Sequence, residues 1–140
     1  MYGEERDDRL GRRVVAAGDT DGDGLADFAV AAPWSDTPGA DAGVVYVVTE
    51  ILSGTLGADA SAAKLRGEAA YDKLGEYGMD GGFDLDGDGH ADLVAGSNEH
   101  ATGGTNAGAA NLAYGPLSGV TEASDGVRVI GETERDRAGV

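Results

Sequence analysis

Apolar residues along this chain come in short runs, each followed by a polar stretch rich in glycine. The first runs are RRVVAA (Arg12 to Ala17), FAVAA (Phe28 to Ala32) and VVYVVT (Val44 to Thr49), with a weaker one at AKLR (Ala63 to Arg66). Their brevity, their Val, Tyr and Thr content and their Gly-rich punctuation predict β-strands. Alanine is dense over Asp59 to Leu65, and a helix there is the second choice. Glycines beside Asp, Asn and Ser read as turns between strands.

The pattern repeats. GEERDDRLG (Gly3 to Gly11) returns as GEAAYDKLG (Gly67 to Gly75) and as GETERDRAG (Gly131 to Gly139), at a spacing of 64 residues. GDTDGDGLADFAVAAP (Gly18 to Pro33) is echoed by FDLDGDGHADLVAGS (Phe83 to Ser97), and DAGVVYVVTE (Asp41 to Glu50) by NAGAANLAYG (Asn106 to Gly115), both shifted by 65. Several blocks kept in phase define a repeat architecture. Residues 1–66 form one unit, 67–130 a second, and 131–140 the start of a third. Four short antiparallel strands per unit is the plan of a β-propeller blade, so the expected fold is all-β: two blades and the beginning of another. Two blades do not close a ring and leave sheet faces unburied. The sequence therefore reads as a piece of a larger propeller, or as a piece that self-associates.

Between the first two strands of each unit lies an aspartate loop. Asp19, Asp21, Asp23 and Asp27 occupy positions 1, 3, 5 and 9, with Leu25 at position 7 and Gly24 at the turn. The second copy has Asp84, Asp86, Asp88 and Asp92, with His90 at position 7 and Gly89 at the turn. Alternate residues of a curled loop can aim their carboxylates at one centre, and position 7 contributes its backbone carbonyl, so the His90 imidazole is expected to face solvent. Six to eight hard oxygen ligands suit Ca²⁺, one ion per complete unit. Carboxylates about 4 Å apart repel by about 4 kcal/mol per pair in an effective dielectric of about 20. A divalent cation reverses that sign and ties the flanking strands together. An EF-hand would need an acid at position 12, where this chain has Val30 and Ala95. Simple Asp-Gly hairpin turns explain one such pair, not a spaced set occurring twice.

Charge and composition narrow the partners. The chain has 140 residues, 26 Asp and Glu against 10 Lys and Arg, and a net charge of −16. That balance disfavours nucleic acid and anionic membrane surfaces. There is no cysteine, so disulfides and thiolate metal sites are excluded. The apolar runs fall far short of the roughly 20 residues needed to span a bilayer, so no direct membrane insertion is expected. The opening MYGEERDDRL is not a signal peptide.

With these loops the chain resembles the FG-GAP repeat family, found in integrin alpha-subunit β-propellers and related bacterial proteins. The family's Phe-Gly position holds Leu10-Gly11, Leu74-Gly75 and Ala138-Gly139, and its Gly-Ala-Pro position holds Ala31-Ala32-Pro33 and Ala95-Gly96-Ser97. The resemblance implies a propeller, commonly seven-bladed, with calcium between a blade's first and second strands. It places ligand recognition on the opposite face, in the loops Trp34 to Ala42, Ser97 to Ala107, Gly67 to Asp72 and Gly131 to Asp136. Trp34, Ser35, Asp36, Asn98, Glu99 and His100 are the candidate ligand-face residues. Trp34 is read first as a packing residue and second as a ligand anchor. Asp8, Asp72 and Asp136 are expected to cap turns or to make contacts between blades, rather than to bind calcium. Ser97, Glu99 and His100 do not make a catalytic set on sequence grounds, and no enzyme activity is expected. The functional expectation is a calcium-binding scaffold of a secreted, cell-surface or periplasmic protein, used for adhesion or for recognition of a protein or glycan ligand. The alternative is an accessory propeller attached to an extracellular hydrolase.

Overall fold

In a computed structural model, which describes residues 1, 3–50 and 54–140, the chain forms two sheets. The first blade carries β1 (Arg13–Gly18), β2 (Asp27–Ala32), β3 (Val44–Val48) and β4 (Ala63–Arg66). The second carries β5 (Met79–Phe83), β6 (Asp92–Ser97), β7 (Ala109–Ala113), β8 (Gly119–Glu122) and β9 (Val127–Ile130). Neighbouring strands β1 to β4 run antiparallel, as do β5, β6, β7 and β9. The all-β propeller-blade architecture is therefore as the hydrophobic pattern predicts. The alanine-dense stretch makes only a 3₁₀ turn at Ala58–Ala60, followed directly by β4. Three residues of 3₁₀ do not hold against a strand whose Ala63 and Leu65 find apolar partners.

One strand departs from the four-per-unit plan. β8 leaves the second blade and pairs in parallel with β4, Ala63 opposite Gly119 through Arg66 opposite Glu122. Arg66 and Glu122 also form an ion pair across that seam. The first sheet thus has five strands, in the order β1-β2-β3-β4-β8. GVTE is too short and too exposed to announce itself by periodicity. Its partner strand, not its own pattern, makes it a strand.

Alternation along the strands builds the core between the blades. Ala29 and Ala31 of β2, Val45 and Val47 of β3, and Ala63 and Leu65 of β4 line up across the register on one face. They meet Met79, Leu93, Ala95 and Ala113 from the second blade. The other face of the first blade buries Ala32, Val44 and Tyr46 under Leu10 and Ala58. Small residues permit a close approach where the innermost strands cross. Gly18 has a φ of +74°, and a Cβ there would sit 2.7 Å from the Gly82 Cα. Both blades bulge at this point, between Ala16 and Gly18 and between Gly81 and Phe83. A bulge bends the strand and re-aims the chain beyond it, here into an aspartate loop each time.

Candidate metal centre

The loop between β1 and β2 is curled by its own carboxylates. Asp19 accepts hydrogen bonds from the backbone N–H of Gly22 at 2.7 Å and of Gly24 at 2.9 Å. Asp21 accepts from the N–H of Asp23 (3.2 Å), and Asp23 from that of Leu25 (2.7 Å). Gly22 and Gly24 have φ near +80°, which glycine adopts without a Cβ penalty. Asp27, the first residue of β2, is buried, and its Oδ2 accepts from both the N–H and the hydroxyl of Thr20. Oxygen atoms of Asp19, Asp21 and Asp27 all lie within 4.8 Å of one another. The second oxygen of Asp27 is buried and has no hydrogen-bond partner. An unpaired carboxylate oxygen removed from water is costly unless a donor or a cation meets it.

The loop between β5 and β6 repeats the curl. Asp84 accepts from the N–H groups of Gly87 (2.6 Å), Asp88 (3.1 Å) and Gly89 (2.9 Å). Asp86 accepts from Asp88, and Asp88 from the N–H of His90. Asp84, Asp86 and Asp88 bring oxygens within 4.8 Å of one another and are exposed. Asp92 differs from its counterpart Asp27. Its two oxygens accept from the N–H of Leu85 (2.6 Å) and of Gly115 (3.0 Å), so both are already partnered. The clusters therefore gather different members of the two sets: Asp23 stands outside the first, Asp92 outside the second. Of the position-7 residues, Leu25 has an exposed side chain. His90 is only half-exposed, not turned freely to solvent as expected. Its ring lies against Gly22 of the other loop, where a Cβ would come within 2.6 Å of Cε1, and its Nδ1 is buried without a partner. The bonds from Ala91 N–H to the Asp19 carbonyl (2.7 Å) and from Leu117 N–H to the Thr20 carbonyl (2.9 Å) hold the loops side by side. The packing of the two blades turns the imidazole inward, and a single loop read alone cannot show it.

The candidate ligand face lies in the loops after β2 and β6. The Arg9 guanidinium stacks 3.4 Å from the centre of the half-buried Trp34 ring, and Lys73 approaches the same ring at 5.8 Å. Lys73 also donates to Glu99 at 2.9 Å, and this bond holds its ammonium above the usual lysine range. Arg9, Lys73 and Arg137 recur at 64-residue spacing, a signal that could have identified them in the sequence. Ser35 is buried, while the exposed Asp36 accepts from the N–H of Asp41 at 3.0 Å. Asn98 is buried, with its Oδ1 unpartnered. A cavity of about 180 Å³ is lined by Tyr77, Asn98, Glu99, Asn106, Arg137 and Val140.

His100 is buried and bonded at Nδ1 to Asp72 (3.0 Å) and at Nε2 to the Thr102 hydroxyl (2.7 Å). The Ser97 hydroxyl accepts from Asn111, so Ser97, Glu99 and His100 each serve a different partner. Asp8, Asp72 and Asp136 cap turns as expected: they accept from the N–H groups of Glu5, of Glu68 and Ala69, and of Thr133.

Residues 11–48 match the FG-GAP repeat family. The chain is also 35% identical over 92 residues to integrin alpha-PS2 of Drosophila melanogaster. That match covers 64% of this chain and 6% of the integrin subunit, so the chain corresponds to a small part of that protein's length.

Proposed function

We propose, from the premise that the chain belongs to the FG-GAP repeat family, that it is a calcium-binding, non-catalytic propeller scaffold. Its setting is the cell exterior or surface, where millimolar calcium keeps such loops loaded and where an integrin-like module meets its ligand. Its task is adhesion or recognition of a protein or glycan through the loops after β2 and β6. Among the described residues no helix is long and apolar enough to cross a membrane.

The observation that carries the metal reading is the buried, unpartnered oxygen of Asp27 beside Asp19 and Asp21. A hard divalent cation would neutralise that trio and, by linkage, stabilise the fold. Asp84, Asp86 and Asp88 would hold a second ion closer to solvent. Bound calcium supplies charge neutralisation and a rigid tie between strands, and no bond-making chemistry.

Isothermal titration of the metal-stripped chain with calcium tests this reading. Two sites are expected, the first removed by Asp27→Asn and the second by Asp88→Asn. A titration without heat in a chain whose circular dichroism shows folded strands would overturn it.

A further inference from the structure

The two aspartate loops share backbone. One peptide group, between His90 and Ala91, serves both. Its carbonyl belongs to His90, the position-7 residue of the second loop. Its N–H, on Ala91, donates at 2.7 Å to the carbonyl of Asp19, the position-1 residue of the first. The segment from Gly115 to Leu117 makes a second bridge. The N–H of Gly115 donates to Oδ1 of Asp92 at 3.0 Å, and the N–H of Leu117 donates to the carbonyl of Thr20 at 2.9 Å. Thr20 in turn holds Asp27 through its own N–H, at 2.7 Å. A run of bonds therefore joins Asp92 to Asp27, the position-9 residues of the two loops.

These bridges are sheltered from water. Thr20 and Asp92 are fully buried, and Asp27, Ala91 and Leu117 nearly so. Hydrogen bonds in such a place are stronger and polarise one another. The His90 ring packs over Gly22, so a first loop that uncurled would remove the surface that the second rests on. Both loops and both bridges lie within the junction of the two blades, away from either end of the chain.

We propose, resting on the calcium reading of both loops, that they bind as a coupled pair, occupancy of either raising the affinity of the other. With its carbonyl held by an ion, the His90–Ala91 peptide plane is fixed and its N–H stays on Asp19. Asp19 is the residue that curls the first loop, accepting from Gly22 and Gly24. The Gly115–Leu117 bridge likewise fixes Asp92 and the Thr20 clamp on Asp27 together. Whichever loop orders first thus loses conformational freedom in residues that both use, and the second binds with less left to lose. Repulsion between two ions acts the other way. The eight loop aspartates carry twice the charge of two divalent ions, so the second ion still meets net negative charge, and salt screens the exposed part of the repulsion.

Calorimetric calcium titration of the metal-stripped 140-residue chain at physiological salt reads the coupling. Asp27→Asn should weaken the second site and Asp88→Asn the first, each by about tenfold, since a coupling free energy is reciprocal. Losing a carboxylate also weakens a neighbouring cation site through charge alone. A chain with the Leu117 amide replaced by an ester lacks only that N–H and keeps all eight aspartates. Its two affinities should fall toward those of the single-loop variants. In the Asp88→Asn chain, calcium should also slow amide hydrogen exchange across residues 84–92, a loop that no longer binds. Circular dichroism checks that each variant keeps its strands; Asp21→Asn and Asp86→Asn, at exposed positions, replace any that unfold. Two sites whose affinities are unchanged in the single-loop variants overturn the coupling and leave the calcium reading intact. So does an ester chain that binds as the wild type does. A folded wild-type chain that takes up no calcium overturns both.

Discussion

At the scale of single residues, the aspartates divide by what satisfies them. Asp92 and Asp72 have backbone donors on their oxygens, and Asp27 has one oxygen left over. Asp8 is a third case. Burial pushes its carboxyl above the usual range, and repulsion from Asp36, Glu4 and Asp7 adds to that, while the N–H of Glu5 works against them. The folded chain therefore holds the Asp8 proton more tightly than the unfolded chain does. Stability from this group is greatest below 3.8, the ordinary value, and is lost as pH rises from there through the folded value. Asp8→Asn keeps an acceptor for Glu5 and removes the buried charge. We expect a higher melting temperature at pH 7, no gain at pH 3, and a flatter stability profile between, measured by thermal unfolding across that range.

At the scale of elements, strands and loops were legible in the sequence to different degrees. β2, β3 and β4 could be read because they are short apolar runs bounded by glycine-containing polar stretches. The aspartate loops could be read because a metal-like spacing is a local property. β8 could not, since its reason to be extended is the edge of β4, more than fifty residues earlier. The inward turn of His90 was hidden for the same reason: Gly22 meets it only once the blades pack. The cation series Arg9, Lys73 and Arg137 was visible as a repeat, but its meaning depends on Trp34 and Glu99 lying within reach. The crossing of β1 and β5 has a direct test. Gly18→Ala introduces a side chain at positive φ against the Gly82 backbone and the Ala91 Cβ, both at 2.7 Å. A loss of roughly 1–3 kcal/mol is expected in urea unfolding, and an unchanged midpoint would show that the strands are not in such close contact.

At the scale of the whole molecule, a net charge of −16 repels itself, and much of it is concentrated in two adjacent loops. General screening and specific binding make different forecasts. Sodium chloride at matched ionic strength screens exposed pairs and should raise the melting temperature only slightly. Calcium at about 100 times its dissociation constant should add about 2.7 kcal/mol per occupied site, read as a melting-temperature rise of several degrees that a chelator reverses. Equal effects of the two salts would show that the loops bind no ion specifically.

The parallel seam between β4 and β8 also bears on how the chain is made. A ribosome has delivered the first four strands once residue 66 clears the exit tunnel, yet the sheet they belong to is incomplete until Glu122 emerges. The first blade thus waits for the second to finish it, and loop-closure entropy must be met before that contact rewards it. Until then the growing chain shows the raw edge of β4, in need of either its own continuation or a stranger's.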